Sequence, residues 1–257
     1  MATAICSPAP LAPRSRRLIA VMPALAIAAL VASSAPVMKA AEDETTASPL
    51  LATLDSLSRQ KIGSWTARRL LEGELVDKNE RGWMEVETRF DRQDGVSHVV
   101  VAQGGSNRIR QRALASVLDK EIGAARGDEA RLAAFSRENY RYRVLDSSWA
   151  DVRIELMPLR EDVRLLKGAA VVDSQSGDLR KVEGQLAQNP SFWVRDVHVA
   201  RTYARVGSVT LPVELVSTAR VRMFGAARLR IRTQYTTIDG RPVSAEAQVQ
   251  LPPRTVS

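Results

Sequence analysis

The sequence predicts an α+β fold: a large, curved antiparallel β-sheet, a half-barrel of about ten strands, with helices packed on one face. Hydrophobic residues recur with a period of two from Trp65 onward, and glycine-containing turn signals separate these runs. One long stretch between them has the helical period instead. With 257 residues, 45% of them hydrophobic, the chain can bury one substantial core, and no shift in composition marks a second domain.

The N-terminus has the order of an export signal. The basic stretch Pro13–Arg17 precedes the uncharged apolar stretch Leu18–Val37. Residues 1–40 are therefore predicted to be a signal peptide. Because about 20 apolar residues can span a bilayer, an uncleaved signal anchor is the alternative. Both place the rest of the chain in the periplasm or another extracytoplasmic compartment.

The charge and the cysteine content of the exported part differ from those of the whole chain. The whole chain carries +8, but residues 1–40 hold four basic residues and no acidic one, which leaves +4 for the remainder. This modest charge and an aromatic content of 5% argue against nucleic acid as a partner. Cys6 is the one cysteine and lies upstream of the apolar stretch. The exported part therefore has no thiol for a disulfide, a zinc–thiolate site or a cysteine nucleophile.

The exported part begins with a tether and continues as one domain. Residues 41–49 are short, polar and acidic, and residues 50–257 are predicted to form a single domain. In its first segment Leu50, Leu54 and Leu57 follow the helical repeat. This segment is expected to be a helix that caps the sheet.

The strands are predicted from alternation. Met84, Val86 and Phe90 point to one face of a strand, while Glu85 and Glu87 point to the other. Such alternation is typical of antiparallel strands with one solvated face. The same pattern recurs in Val152, Ile154 and Leu156 and again in Leu229, Ile231 and Tyr235.

The longest helical pattern follows Gly104-Gly105-Ser106 and runs from Asn107 to about Ala134. Ser106 is suited to cap this helix, and the glycines allow a sharp turn out of the preceding strand. A phosphate-binding loop needs a lysine and a hydroxyl residue at fixed places, which GGSNRIR lacks. The stretch is predicted to be a chain reversal whose helix packs on the sheet, and an anion near Arg108 is the less favoured alternative. The apolar stripe of the helix consists of Ile109, Ala113, Leu114, Val117, Leu118 and Ile122.

No residue is predicted to be catalytic. His98 and His198, the only histidines, lie in strand-like segments without metal-ligand spacing or a nucleophile motif. Paired carboxylates such as Glu85 and Glu87 are expected to meet arginines on neighbouring strands. An envelope hydrolase that uses such carboxylates is the enzymatic alternative.

Two further features are expected to be structural. The arginines Arg228, Arg230 and Arg232 alternate along one strand and are expected to lie on a solvated face, with anionic headgroups as the alternative ligand. Phe192 and Trp193, in the NPSFWV segment, are expected to pack beneath a loop rather than to contact a membrane interface.

An export signal and a curved sheet with an apolar face under helices fit a protein that binds a hydrophobic guest. A filled core requires the same residues as a cavity wall. Side-chain patterning therefore leaves open whether the apolar face encloses a cavity.

Several stretches carry a resemblance to a known family. WTARRLLEGEL, WMEVETRF and VRDVHVARTYARVGSVTLPVELVSTARVRM resemble the outer-membrane lipoprotein-sorting (LolA-like) superfamily, with Leu211-Pro212 at the matching place of the last stretch. GGSNRIRQRAL and NPSFW are similar to an uncharacterised exported subgroup. The resemblance covers Trp65–Val243 and implies an open half-barrel closed by helices over an apolar cavity. Relatives use such a cavity for lipid acyl chains or as a sensor module in an envelope stress response.

The predicted function is that of an exported, non-enzymatic binding protein of the cell envelope. It would hold a lipid acyl chain or a lipoprotein in an apolar cavity between sheet and helices, without a metal or cofactor. The alternative is a periplasmic regulatory or sensor module that binds a membrane-anchored protein and carries no lipid. The cavity candidates are Met84, Val86, Phe90, Val99, Val101, Ile154 and Leu156 on the sheet and Ile109, Leu114 and Val117 on the helix. The candidates for binding an anion or headgroup are Arg108, Arg228, Arg230 and Arg232.

Overall fold

The structure is a computed structural model that describes residues 62–124 and 129–244. The predicted export segment, the tether and the helix near Leu50 lie outside the described residues, and so do the boundaries predicted between them. Within the described part of the chain, no helix is long and apolar enough to cross a membrane.

The predicted antiparallel sheet is confirmed. In the described ranges it has eleven strands in the order β3-β2-β1-β10-β9-β8-β7-β6-β5-β4, with β11 paired to β10, and every pair is antiparallel. The strands are β1 (Ser64–Leu75), β2 (Glu80–Asp91), β3 (Gly95–Gly105), β4 (Tyr140–Ser147), β5 (Asp151–Pro158), β6 (Leu166–Asp173), β7 (Leu179–Leu186), β8 (Val194–Val206), β9 (Val209–Val221), β10 (Gly225–Ile238) and β11 (Arg241–Pro242).

The predicted helix after Ser106 is confirmed in two pieces. Helix α1 consists of three consecutive segments, Asn107–Ile109, the π-helical Arg110–Leu114, and Ala115–Ala124, and helix α2 is Glu129–Ala133. The backbone N–H of Ile109 donates to the Ser106 hydroxyl, so Ser106 is the N-cap that the sequence predicts. Gly105 has a φ of 75°, a conformation that glycine adopts freely, so the glycine stretch is a chain reversal. One turn of 3₁₀ helix, Val76–Lys78, joins β1 to β2.

Two facing glycines bring β6 and β7 close together. Gly168 and Gly184 are register partners. A methyl carbon added to Gly168 would lie 2.0 Å from the carbonyl oxygen of Glu183, which no side chain tolerates. The long sheet is therefore tightly packed at this point because both residues lack a side chain.

The buried side chains form three clusters on one face of the sheet. The largest, the β5–β8 cluster, gathers residues such as Val152, Val172 and Val182. A smaller cluster around Leu211 and Tyr235 fills one end of the sheet. The α1 cluster lies between α1 and strands β1, β2 and β10, and consists of Leu71, Leu75, Met84, Val86, Ile109, Leu114, Val117, Leu118, Leu229 and Ile231.

Candidate functional site

The α1 cluster brings together five of the residues proposed from the sequence as cavity walls. Met84 and Val86 come from β2, and Ile109, Leu114 and Val117 come from α1; each is at most 4% exposed. The period-two face of β2 and the period-3.6 stripe of α1 therefore meet, as two apolar surfaces must when a helix covers a sheet. This contact is the candidate site for an apolar ligand.

Two glycines let α1 lie close to the sheet. Gly73 in β1 and Gly82 in β2 are register partners beneath the start of the helix. A methyl carbon on Gly73 would lie 2.7 Å from Ile109 Cγ2, and one on Gly82 would lie 3.1 Å from Ile109 Cβ. A larger residue at Gly73 would push α1 away from the sheet.

The remaining buried candidates lie elsewhere. Ile154 and Leu156 are fully buried in the β5–β8 cluster, not beneath α1. Phe90 is also buried, and its ring stacks on Trp65 with 5.8 Å between ring centroids. The sheet-side candidates therefore belong to separate packing regions, and they do not form one continuous wall.

Val99 and Val101 are exposed, which corrects their prediction as buried cavity residues. They are 65% and 41% exposed on β3, the strand at one edge of the sheet. Val99 pairs with Glu87 and so shares its face, which is opposite to that of Val86. Val101 is the extra residue of a bulge, because Val86 pairs with Val100 while Glu85 pairs with Ala102.

A buried ion pair fixes α1 to the sheet beside the α1 cluster. Arg69 of β1 donates to both carboxylate oxygens of Glu121 of α1, with Nη1–Oε2 at 2.6 Å and Nη2–Oε1 at 2.8 Å. His98 of β3 completes the group: its Nε2 lies 3.4 Å from Glu121 Oε2, and its Nδ1 lies 3.0 Å from the Thr88 hydroxyl. The three charged or titratable side chains are less than a tenth exposed. Arg69, Glu121 and His98 are called the ionic latch.

The ionic latch shifts the pKa of each of its members. Burial opposes both charges of the Arg69–Glu121 pair, but their mutual attraction and hydrogen bonds outweigh it, so the pKa of Arg69 rises and the pKa of Glu121 falls. Burial lowers the pKa of His98, and the nearby Glu121 charge does not compensate fully. The latch therefore contains one cation, one anion and a histidine whose neutral form is favoured.

The ionic latch has the chemistry of a structural contact that holds a helix in place. Arg69 occupies both oxygens of Glu121 in the bidentate geometry that suits a guanidinium and a carboxylate. Among the described residues, no three His, Cys, Asp or Glu side chains are grouped so that they could hold a metal ion. The latch joins the last turn of α1 to the sheet.

The sequence analysis did not identify the latch, although its signals are present. In β1, Ala67, Arg69 and Leu71 share one face by period two, so an arginine interrupts an apolar face. In α1, Glu121 lies four and three positions after Val117 and Leu118, and therefore on the apolar side of the helix. A pair of opposite charges, each at an apolar position of its own element, is the pattern that would have predicted this contact.

The anion candidates mostly have carboxylate partners within this chain. Arg108 pairs with Glu80, which lowers the pKa of Glu80 mainly through its hydrogen bond. The site that the sequence suggests for an anion at the start of α1 therefore already contains a carboxylate. On β10, the partners are Glu214 for Arg230 at 2.7 Å and Glu72 for Arg232 at 3.1 Å, while Arg228 is exposed opposite Glu74.

His198 lies on the face of the sheet opposite α1, in an open groove of about 540 Å³. Glu183 and Thr218 also line the groove, and the Glu183 carboxylate is 3.4 Å from the Arg153 guanidinium. These polar groups are partly exposed and form the solvated face that the strand alternation predicts.

The two aromatics of the NPSFWV segment are exposed, which corrects the expectation that they pack beneath a loop. Phe192 is 62% exposed and Trp193 is 41% exposed. The segment is too short to fold over its own aromatics, because it connects β7 to β8 through seven residues.

No family model matches the chain, and no curated protein matches it. Among solved structures, the chain is similar to the LolA superfamily protein NE2245 from Nitrosomonas europaea, with 14% identity, a TM-score of 0.41, and coverage of 81% of this chain and 96% of that one. It is similar to an outer membrane lipoprotein-sorting protein domain from Vibrio parahaemolyticus, with 12% identity, a TM-score of 0.40, and coverage of 74% and 92%. It also matches MucB in complex with MucA(peri), with 11% identity, a TM-score of 0.23, and coverage of 79% and 100%.

Proposed function

We propose that this chain is a non-enzymatic binding protein of the cell envelope that holds a lipid acyl chain, free or on a lipoprotein, between α1 and the sheet. One observation carries the proposal. The helix covers an apolar region of the sheet through aliphatic side chains alone, while its polar contacts lie at its two ends.

The ends of α1 are held by directional contacts. Near the start, Ser106 caps the helix and Arg108 pairs with Glu80. Near the end, the ionic latch joins Glu121 to Arg69. Directional contacts of this kind fix the position of the helix ends relative to the strands.

The middle of α1 is held by apolar packing, which has no preferred direction. Leu114 and Val117 of α1 belong with Val86 of β2 to the α1 cluster. An acyl chain offers the same kind of surface, and its burial contributes about 0.8 kcal/mol per methylene group. A guest that enters here replaces contacts between helix and sheet by equivalent contacts with itself. Exchange of these contacts requires only a small displacement of the helix, which is the property expected of a lid.

Native mass spectrometry of the protein, purified from the envelope of an exporting host without detergent, tests this proposal. The expected result is a co-purifying acylated molecule, which organic extraction releases. A Val117→Phe variant places a larger side chain between α1 and the sheet, and it is expected to lose this molecule and to take up no fluorescent fatty acid. Val182→Phe is the matched control, because Val182 is equally buried but belongs to the β5–β8 cluster.

Two outcomes contradict the proposal. A parent protein without a bound guest that takes up no fatty acid would exclude the acyl-binding function. Loss of the guest in Val182→Phe, but not in Val117→Phe, would place the ligand in the other cluster. Circular dichroism and thermal unfolding of each variant distinguish loss of binding from loss of fold.

The second candidate function is regulation through a membrane-anchored protein partner, and the exposed edge of the sheet favours it. Val99, Val100 and Val101 are 65%, 44% and 41% exposed on β3. In the described residues, β3 has a strand on one side only. Unpaired backbone groups beside exposed valines are the surface to which a partner can add a strand.

Lysines introduced into the β3 edge test this second function. In a Val99→Lys and Val101→Lys double variant, an envelope complex that forms through this edge is expected to disappear on cross-linking, while fatty-acid uptake stays unchanged. A complex that persists in the double variant would exclude the β3 edge as the binding surface. A Val144→Lys variant is the control, because Val144 is 45% exposed on β4, at the opposite edge.

A further inference from the structure

Exposed apolar and basic side chains meet at one end of the sheet, where the β7–β8 connection contacts the β9–β10 turn. The aromatic tip is defined as Phe192, Trp193, Arg195, Arg222 and Met223. Phe192 and Met223 are 62% and 80% exposed, and Trp193 is 41% exposed. An exposed apolar group rimmed by polar residues marks an interaction site more often than scattered surface residues do.

The aromatic tip has a defined geometry. The Phe192 and Trp193 rings meet edge to face, with 5.7 Å between centroids. The guanidinium carbons of Arg222 and Arg195 lie 4.3 Å and 5.6 Å from the Phe192 centroid. The two connections are joined by a hydrogen bond of 2.8 Å from the Arg222 N–H to the Trp193 carbonyl. Cation–π contacts and this hydrogen bond place the aromatic rings and the positive charges side by side.

Two backbone irregularities lie at or next to the aromatic tip. Met223 has a φ of 69° in the β9–β10 turn, and Asp196 has a φ of 52° in β8. The pairing of β8 with β9 shifts between Arg195 and His198, which is a bulge next to Asp196. Left-handed backbone at residues other than glycine costs stability, and such strain is concentrated where a surface has a role.

The aromatic tip is positively charged. Residues 187–195 and 220–225 contain three arginines and no Asp or Glu. The nearest carboxylate that pairs is that of Asp196, 3.9 Å from Arg220. Within the described ranges, Arg195 and Arg222 stack on Phe192 and have no carboxylate partner, unlike Arg230 on β10. Their charge is therefore available to an external anion.

We propose that the aromatic tip docks this protein onto the surface of an anionic phospholipid bilayer. Trp193, Phe192 and Met223 enter the interfacial region, where tryptophan in particular is favoured. Arg195 and Arg222 bind lipid phosphates, to which guanidinium groups donate in pairs. Apolar groups and cations side by side match the acyl chains and phosphates that adjoin each other at the surface of a bilayer.

The position of the tip places the start of α1 near the membrane. Phe224 follows Met223 in the turn but packs on the α1 cluster, and the Arg108 guanidinium lies 5.4 Å from its ring centroid. One turn therefore contacts the bilayer through Met223 and the helix through Phe224. The docking inference does not depend on acyl binding beneath α1, because it concerns a different surface.

Sedimentation with vesicles tests the docking surface on the protein as the exporting host produces it. The parent is expected to bind vesicles of phosphatidylcholine mixed with phosphatidylglycerol, and to bind phosphatidylcholine vesicles far less. Arg195→Gln and Arg222→Gln should each lower the partition coefficient about fivefold, and high salt should have the same effect. Met223→Ser should also weaken binding, and at 80% exposure this change leaves the core untouched.

Matched controls come from the opposite end of the sheet. Trp149 is 83% exposed in the β4–β5 turn, and Arg241 is exposed in β11. Trp149→Ser and Arg241→Gln should bind vesicles like the parent, and every protein in the series carries the same N-terminus. Equal binding by tip variants and parent, or equal binding to neutral and anionic vesicles, would overturn the proposal. Tip variants that bind vesicles normally but lose a protein from envelope extracts would assign the surface to a protein partner instead.

Tryptophan fluorescence gives a second readout, independent of sedimentation. In a Trp149→Phe background, brominated phosphatidylcholine mixed with phosphatidylglycerol is expected to quench part of the emission. The quenched part should disappear when Trp193→Phe is added. Quenching that stays the same in the double variant would show that Trp193 is not in the bilayer.

Discussion

The two described helices are held to the same sheet in different ways, and in each case an arginine makes the contact. Arg69 of β1 holds α1 through the buried carboxylate of Glu121, and its side chain is 9% exposed. Arg160, which follows β5, holds the end of α2 and is 35% exposed. The first arginine is shielded from water, whereas the second is partly hydrated.

The α2 contact uses mainly neutral acceptors. Arg160 donates to the Leu132 carbonyl at 2.8 Å and to the Asn139 side chain at 2.7 Å. Asn139 in turn donates to the carbonyls of Arg131 and Ala134. The last carbonyls of α2 are therefore satisfied by a short, partly buried network around Asn139.

The two contacts differ in how strongly the stability of the protein depends on the arginine. In the α2 network, the Arg160 side chain is 35% exposed, so water can replace part of its contacts when the arginine is lost. In the ionic latch, no water replaces Arg69, so its loss leaves a charged carboxylate inside the protein. Burial of these two charges is tolerated only because both partners are present. As a consequence, α1 is fixed in one register on the strands.

The largest expected effect is that of Arg69→Met. This change leaves Glu121 buried without its partner, so the free energy of unfolding should fall by about 3–5 kcal/mol. Urea unfolding followed by circular dichroism measures it. The double variant Arg69→Met/Glu121→Leu should regain most of the loss, because it removes the unpaired charge together with the pair.

The comparison with α2 supplies the control for this prediction. Arg160→Met should cost only about 1–2 kcal/mol, because the Leu132 and Asn139 acceptors that it leaves are neutral, and the Asp162 carboxylate keeps its pair with Arg164. A larger loss of unfolding free energy for Arg160→Met than for Arg69→Met would show that solvent exposure does not determine which contact contributes more to stability. A double variant Arg69→Met/Glu121→Leu that is as unstable as Arg69→Met alone would show that packing, and not charge, determines how much the ionic latch contributes to stability.

The next effect concerns the glycines beneath and within α1. Gly73→Ala should lower the free energy of unfolding by about 1–3 kcal/mol, because its methyl carbon would lie 2.7 Å from Ile109 Cγ2 and 3.2 Å from Leu114 Cδ2. Gly123→Ala is the matched control, since among the described residues no heavy atom beyond the nearby backbone of its own helix lies within 4 Å of its methyl carbon. This second change should raise the free energy of unfolding by about 0.5–1 kcal/mol through helix propensity.

Thermal unfolding of both alanine variants measures this difference in sign. Two destabilising changes of equal size would mean that a cost common to glycine replacement, rather than the contact of α1 with β1, determines the result. A neutral Gly73→Ala variant would show that α1 moves away from the sheet at no cost. That outcome would support the lid proposed above and weaken the view of a tightly packed helix.

Period-two and helical patterns predicted the strands and α1, because both depend on residues close in sequence. Met84 and Val86 are buried as the alternation predicts. Val99 and Val101 are not, because Val99 shares the face of Glu87 and Val101 lies in a bulge, and both depend on the pairing of β3 with β2. Register is a property of two strands together, and it is not visible in one of them.

Contacts between distant positions could not be predicted from local patterns. Arg69 and Glu121 are 52 residues apart in sequence, and the Arg108–Glu80 pair is 28 residues apart. Each charged residue alone resembles a surface residue, and only the fold brings its partner within hydrogen-bonding distance. The same holds for Phe192, whose exposure depends on which turn lies beside it.

The smallest expected effect concerns His98. It tests whether the ionic latch contains one positive and one negative charge, with His98 neutral. Burial lowers the pKa of His98 below its usual value of 6.5, despite the nearby Glu121 carboxylate, while Arg69 acts in the same direction as burial and Asp119 opposes it. The unfolded chain therefore binds a proton more readily than the folded chain does. The contribution of His98 to stability is complete above pH 6.5 and is lost as the pH falls towards the lowered pKa of the folded state.

Replacing His98 should therefore flatten the pH dependence of stability just below pH 6.5. In the parent, one proton contributes at most about 1.4 kcal/mol per pH unit to the slope of the unfolding free energy, and His98→Gln should remove this contribution. His198→Gln is the control, because His198 is exposed on β8. Urea unfolding at a series of pH values measures the slope for all three proteins. A steeper slope in His98→Gln would mean that Glu121 outweighs burial and holds His98 charged; the latch would then carry a second cation.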